Sequence, residues 1–424
     1  MSKPSFVISC PIDTFSGYGA RSRDVVKAII ELDKYKVEIL PQRWGDTPGG
    51  FISEHKDWKF LEKHLITHLT NKPDIFCQIT IPSEFQSVGK FNIGITAGIE
   101  STGCQAQWVE GLNRMDLNFV SSQHSKKVFQ EVKFEKRDKR TKQVVQVIQL
   151  QKPIEVLFEG VDLTTYFYKK NEDVNFDLSQ IKESFCYLFV GHWMNGEFGH
   201  DRKNVGVLIK NFFDAFKGKK IAPALILKAS TGRNSYISRD TLLKKIKTIK
   251  DQYPHNTTLP NVYILNGNLT DEQMNDLYNH PKVKAMVSFT KGEGYGRPLA
   301  EFGLSKKPII ASGWSGQLDF LNPAYTILIG GKLENVHPSA ANQWLLQETQ
   351  WFRISDKDSI RALKDVYTNY KKYIVKGKQQ GHYIKTKFDF DSMKEFIGKT
   401  LGDKIPDFPE EVELSLPTLE TPKL

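Results

Sequence analysis

The sequence predicts an α/β chain built as two Rossmann-like domains facing a cleft, on three observations. With 424 residues it is too long for one ordinary core. Short β-branched apolar runs alternate with helical patterns along most of its length, as in parallel sheets with crossover helices. One polar stretch at 165–183, containing Lys169, Lys170, Asn171, Glu172, Asp173 and Asn175, interrupts that alternation and reads as a linker.

The elements follow in order. A strand over 6–10 leads to Ser16-Gly17-Tyr18-Gly19, which opens a helix carrying Val25, Val26, Ala28, Ile29, Ile30 and Leu32. Strands are expected over 36–40, 75–79, 91–95, 118–121 and 154–158, giving a first domain at 1–165. The run Lys133–Lys142, followed by Val144, Val145, Val147 and Leu150, predicts a hairpin with a basic turn. A second series, with strands at 185–191, 222–227, 262–265, 283–289 and 308–311, builds a second domain at 178–387. A helix is expected over 388–401. Residues 405–424, rich in Pro and Glu, read as a flexible acidic tail.

Composition narrows the class. Hydrophobic residues at 39% and charged residues at 25% suit a globular protein. No apolar run nears the roughly 18 residues of a membrane span, and the N-terminus leads straight into a strand, so a soluble, cytoplasmic protein is expected. Cys10, Cys77, Cys104 and Cys186 lack metal or redox spacing and read as free thiols. Lys plus Arg number 59 against 49 Asp plus Glu, a net charge of +10 that favours a polyanionic partner.

The most specific segment is Gly292-Glu293-Gly294-Tyr295-Gly296-Arg297-Pro298-Leu299-Ala300-Glu301. It follows the apolar run 285–289, and Pro298 suits the first turn of a helix. Glu293 is expected in a strand-to-helix loop and Glu301 within the first turn or so, near backbone N–H groups that favour an anion. Two carboxylates flanking such donors suit a nucleotide sugar: one grips the sugar hydroxyls, one the ribose diol, and the N–H groups the diphosphate. As a dinucleotide fingerprint, Gly17 and Gly19 are incomplete, because Ser22 stands where a third glycine belongs. Thr270 and Gln273 predict a capping box after Gly267-Asn268-Leu269.

With Lys306–Gln317 as the following strand and small-residue turn, this segment resembles the signature of family-4 retaining glycosyltransferases of the GT-B fold, two glutamates separated by seven residues. The resemblance implies a UDP-sugar donor substrate, no cofactor and no metal. It gives Glu293 the donor sugar, Glu301 the ribose, and Lys203 with Arg202 the diphosphate; the family's arginine after glycine is His192 here, which leaves its role to Arg202 or to Arg297. Gly191, Gly17, Gly19, Gly294, Tyr295, Gly296, Arg297, Pro298 and Leu299 join the donor site, with Asn268 and Leu269 at the nucleobase. Lys228 and Arg233 are further cation candidates. The family's final helix crosses back to the first domain, which here assigns it 388–402.

The acceptor side departs from the family, since Thr96–Thr102 occupies the place of a common histidine and Glu100 stands in for it. His124 reads as a helix-start or surface residue. Arg21 and Trp44 are the other acceptor candidates. The first domain, including Arg43–Asp46 and Ile93–Trp108, resembles glycosyltransferases of tailed phages, some of which modify DNA bases. That implies transfer of arabinose or glucose to 5-hydroxymethylcytosine in double-stranded DNA, in the host cytoplasm if phage-encoded, without a membrane. Two alternatives stay open: a polysaccharide or lipid-linked acceptor, and a non-catalytic DNA-binding protein on a transferase fold.

Overall fold

The computed structural model describes residues 3–232 and 235–408, so Arg233 and the expected tail from 409 onward lie outside the described residues. The first half runs β1 (Ser5–Cys10), α1 (Gly17–Glu31), β2 (Lys36–Pro41), α2 (Phe51–Glu54), β3 (Ile75–Ile79), β4 (Phe91–Ile95), α3 (Ala106–Asn113), β5 (Leu117–Val120), α4 (Gln123–Glu131), β6 (Phe134–Arg137), β7 (Val144–Ile148) and β8 (Ile154–Val156). Six of these strands form a parallel sheet in the order β2-β1-β3-β4-β5-β8. Helices cover both faces, which is why β3 is buried at every position. β6 and β7 form the expected antiparallel hairpin around the basic turn; Ile148 packs inward while Val144, Val145 and Val147 stay exposed.

The second half runs β9 (Cys186–His192), α5 (Val205–Phe216), β10 (Ala224–Ser230), α6 (Tyr236–Lys250), β11 (Val262–Leu265), α7 (Asp271–Asn279), β12 (Val283–Ser288), α8 (Arg297–Gly303), β13 (Ile309–Ser312) and β14 (Ile327–Ile329). Its parallel sheet has the order β11-β10-β9-β12-β13-β14. A hairpin of β15 (Gly331–Asn335) and β16 (Gln350–Ile354) follows, then α9 (Asp356–Thr368), α10 (Tyr370–Lys387) and α11 (Phe390–Lys404).

Helix α11 returns to the first half. Its Phe390, Met393, Ile397 and Leu401 join the first core with Phe6, Ile8, Val25 and Ile29, and Lys394 pairs with Glu31 at 2.8 Å. Each such buried aliphatic or aromatic side chain contributes about 1.5–3 kcal/mol, so the crossover ties the two halves together strongly. Among the described residues no helix is long and apolar enough to cross a membrane. The four cysteines are buried and unpaired, and burial pushes the Cys10, Cys104 and Cys186 thiols up to about 12.

In each sheet the strand order reverses once. The chain leaves β1 to either side, toward β2 and toward β3, and leaves β9 toward β10 and toward β12. Ligands of doubly wound sheets bind outside the carboxyl ends of the strands at such reversals. The β9 and β12 ends carry Gly191-His192 and the loop holding Glu293.

Candidate active site

Glu293 leaves the end of β12 in a loop with little freedom to move. Its N–H donates to Ser315 Oγ at 2.9 Å, its carbonyl accepts from the Gly316 N–H at 3.0 Å, and Ser315 Oγ donates to Gln317 Oε1. Gln317 in turn donates to the Ser312 carbonyl and hydroxyl, both at 3.0 Å. Lys291, two residues before Glu293, is buried and pairs with Glu334 at 2.6 Å. Buried polar groups satisfied this completely hold one conformation.

The glycines on either side of Glu293 are needed for contact with the first half. A Cβ on Gly292 would overlap the Glu100 carbonyl, and one on Gly294 would overlap the Ala97 carbonyl. Ser121 Oγ contacts that Ala97 carbonyl and donates to the Gly294 carbonyl at 2.9 Å. The first half supports this contact from behind: Tyr18 bonds Thr96 Oγ1 at 2.9 Å and accepts from the Ala97 N–H, and Trp44 stacks on Tyr18 at 3.9 Å. Trp44 therefore meets the cleft at one remove.

Two cations hold the Glu293 carboxylate. Lys203 Nζ lies 2.5 Å from Oε1, and Arg202 Nη1 lies 3.3 Å from Oε2 while donating to the Gly292 carbonyl at 2.8 Å. Both come from the turn just before α5, whose N-cap Asn204 adopts a left-handed conformation. Glu100 reaches the same cluster from the first half, 3.6 Å from Arg202 Nη2. Burial raises the proton affinity of Glu293, but Lys203 and Arg202 outweigh it, so the group lies below the usual carboxylate range. His192, beside Gly191 at the end of β9, is pushed down by burial and then by Lys203, Lys228 and Arg202. Those three cations thus converge at one strand end, a field that favours a polyanion. Lys228 is anchored by donating to the Gly267 carbonyl at 2.7 Å.

Glu301 lies eight residues on. Its helix starts at Arg297 after Gly296 (φ +103°), with Pro298 in the first turn and Leu299 in the core. Glu301 is the fifth residue of α8, close to the helix start as expected, but its partners are side chains in place of the expected backbone N–H groups. Arg297 Nε donates to Oε1 at 2.9 Å and Tyr278 Oη to Oε2 at 3.2 Å. Burial dominates over Arg297, and Glu301 is raised to about 7. Arg297 also reaches Asp24 of α1 at 2.5 Å and lies 3.9 Å from Glu159.

The remaining candidates are dispersed. Thr270 and Gln273 form the capping box at the start of α7, with Asn268 exposed and Leu269 half-buried just before it. Gly17 and Gly19 open α1, where Ser16 Oγ accepts from the Gly19 N–H at 2.9 Å. Tyr295 is buried against Phe320. Arg21 corrects an expectation: it is 1% exposed and committed to the Phe158 and Leu157 carbonyls, so it has no surface to offer an acceptor. His124 starts α4 as expected but faces the second half, 4.7 Å from the Trp314 ring, and burial lowers it to about 4. Sequence reasoning missed Asp24, read the segment holding Glu159 as structural, and reached Ser315 only as part of the small-residue turn; Tyr278 was legible only as the last residue of the capped segment.

No protein-family model and no curated protein matches the sequence. Solved structures do match along almost the whole chain. A HepE structure from Anabaena, in complex with UDP and glucose, has a TM-score of 0.61 at 13% identity, covering 94% of this chain and 100% of its own. A sucrose-phosphate synthase from Thermosynechococcus elongatus has a TM-score of 0.60 at 10% identity, covering 95% and 99%. A glycosyltransferase from Rickettsia africae has a TM-score of 0.62 at 12% identity, covering 96% and 100%. Two parallel six-stranded sheets, each in its own half of the chain, together with these likenesses, give the chain the GT-B fold.

Proposed function

We propose that this chain is a retaining glycosyltransferase that moves arabinose or glucose from a UDP-sugar to 5-hydroxymethylcytosine in DNA. The observation that carries the donor half is the convergence of Glu293, Lys203 and Arg202 at the β9/β12 reversal. The HepE likeness, whose structure holds UDP and glucose, supports the donor class. In this reading Lys203 and Arg202 neutralise the diphosphate, including the charge that grows on it as the sugar departs. Glu293 orients the sugar and stabilises positive character at its anomeric carbon. Glu301 accepts from the ribose hydroxyls, the 294–299 loop lines the diphosphate, and Asn268 with Leu269 meets the base.

The acceptor hydroxyl attacks the anomeric carbon on the face the nucleotide leaves. The bond from that carbon to the phosphate oxygen breaks as the new glycosidic bond forms, and the hydroxyl proton passes to the departing phosphate. No protein base and no metal enters this step. Glu100, beside Arg202 on the first-half wall, is assigned to the acceptor side.

The DNA acceptor rests on charge. The run Lys133–Lys142 holds six cations and two carboxylates, and it turns an exposed hairpin. Such a ribbon fits a phosphate backbone. The test is mass spectrometry of nucleosides from hydroxymethylated DNA incubated with the protein and a panel of UDP-sugars. A hexosyl or pentosyl adduct on hydroxymethylcytosine is expected; donor turnover without any DNA adduct refutes the acceptor and leaves the donor reading standing. Replacing Lys139 and Arg140 by Glu should lower the salt dependence of DNA binding by up to about two counterions.

A further inference from the structure

Helix α10 (Tyr370–Lys387) contains six lysines and no carboxylate. Lys371, Lys378 and Lys385 recur every seven residues, so they form a row along one edge of its exposed face, about 10 Å apart at a rise of about 1.5 Å per residue. Lys372, Lys376 and Lys387 line the other edge. Lys306, in the turn after α8, runs its stem past Gly381 and extends the first row, with Nζ 4.7 Å from the exposed ring of Tyr168. We propose that this face of α10 is a docking surface for the phosphate backbone of duplex DNA. The proposal rests on the DNA reading above and adds a contact on the second half, separate from the basic hairpin of the first.

Other helices of this chain balance their cations. Lys210 pairs with Asp214 on α5 at 2.6 Å, Arg361 with Asp358 on α9 at 2.7 Å, and Lys247 of α6 with Asp251 at 2.5 Å. Among the described residues no lysine of α10 has an ion pair. Lys372 and Lys376 stand four residues apart, a like-charge spacing that destabilises a helix. A polyanion laid along the helix turns that repulsion into attraction and releases its own condensed counterions. The platform is rigid, because the opposite face is buried through Tyr373, Gln380 and Ile384. Gln380 donates to the Phe320 carbonyl at 2.7 Å and accepts from the Asn322 N–H at 3.1 Å, and Ile384 packs on Gly303 of α8. Cations fixed on such a helix lose less freedom on binding. The same burial argues against a lipid surface, since a helix that enters a bilayer interface presents a broad apolar face. Helix α10 turns its own inward, and Val375 is its one exposed large apolar side chain.

Fluorescence anisotropy of an unmodified DNA duplex, titrated with salt on the full chain, gives the test. Combining Lys371→Gln, Lys378→Gln and Lys385→Gln is expected to weaken binding about tenfold at low salt. The slope of log K against log[salt] should flatten by up to about 2.7, at about 0.9 per phosphate contact. Lys244→Gln, Lys247→Gln and Lys250→Gln on α6 remove the same charge and should cost less than about threefold. Equal losses in the two triple variants mean that net charge alone acts, and an α10 variant that binds like wild type means that the face is only solvated. Either result overturns the proposal and leaves the DNA reading standing. Wild type that binds no duplex overturns both. If wild type sediments with phosphatidylserine vesicles and the α10 variant does not, while its DNA binding is unchanged, the partner is a lipid surface and the proposal falls. Circular dichroism identifies a triple variant that has not folded, and Lys378→Gln with Lys385→Gln then decides.

Discussion

Glu293 and Glu301 are equally buried, each 8% exposed, and stand eight residues apart on one loop and helix, yet their surroundings set them in opposite protonation regimes. Glu293 faces two cations, which hold it below the usual carboxylate range. Glu301 faces one cation, which Asp24 also claims, and burial raises it to about 7. Burial alone therefore does not decide the state of a carboxylate in this cleft; the number of cations committed to it does. The difference matches the roles proposed: a permanent negative charge beside a centre that becomes positive, and a hydrogen-bond acceptor for neutral hydroxyls.

The largest effect should come from removing the permanent charge. Glu293→Gln keeps the size of the side chain but not its charge, and kcat is expected to fall by about 10²–10³-fold, the usual scale for a preorganised electrostatic contact. Its melting temperature should fall by several degrees, since the side chains of Lys203 and Arg202 are only 15% and 16% exposed and lose the charge that pairs with them. Steady-state kinetics beside a thermal melt checks both halves of that statement.

Lys203→Ala makes the first site resemble the second by leaving Glu293 with one cation. Glu293 should then titrate at higher pH, and kcat/KM for the donor should fall about 10–100-fold, more steeply on the acid side than in wild type. A loss that is uniform across pH would mean Lys203 acts on the donor alone.

The smallest effect concerns Glu301, whose folded value of about 7 stands above the ordinary 4.5. Between those values the folded state binds the proton more tightly than the unfolded chain. Its contribution therefore favours the fold at acid pH and is lost as pH rises through about 7. Ligand binding runs the other way, because the ionised form is the better acceptor for ribose hydroxyls. Glu301→Gln should flatten both trends: the fall in melting temperature from about pH 5 to pH 8, and a few-fold gain in UDP affinity over the same interval beyond that of the nucleotide itself. Parallel slopes in wild type and variant would remove the contrast between the two carboxylates.

Much of this was legible in sequence where the signal is local. The apolar runs at 75–79, 91–95 and 262–265 coincide with β3, β4 and β11, and the capping box at Thr270 forms as written. The short strands β14 and β15 left no comparable pattern, because they bury few side chains, and β16, which buries Trp351, Phe352 and Ile354, was not among the expected strands. Pro298 and Glu301 lie near the helix start as expected, but the side-chain partners of Glu301, Arg297 and Tyr278, left no signal. The resemblance brought Lys203, Arg202 and Glu293 to one site, but their direct pairing and that of Asp24 with Arg297 left no local signal. Lys203 and Glu293 are 90 residues apart and meet through the topology of the second sheet, whereas Asp24 and Arg297 are 273 apart and meet only because the two halves pack together. Arg21 misled for a related reason: a cation beside a glycine turn looks like a phosphate ligand until its carbonyl partners, more than 130 residues away, are known.

The central claim is that Glu293 sits at the reacting sugar of a nucleotide donor. NMR of UDP-glucose incubated with wild type and with Glu293→Gln, in water and without an acceptor, tests it most directly. Slow donor cleavage by wild type with the α-anomer of glucose appearing first, and near-complete loss of that cleavage in the variant, is the predicted result. Equal cleavage by both proteins, or β-glucose as the first product, would contradict it.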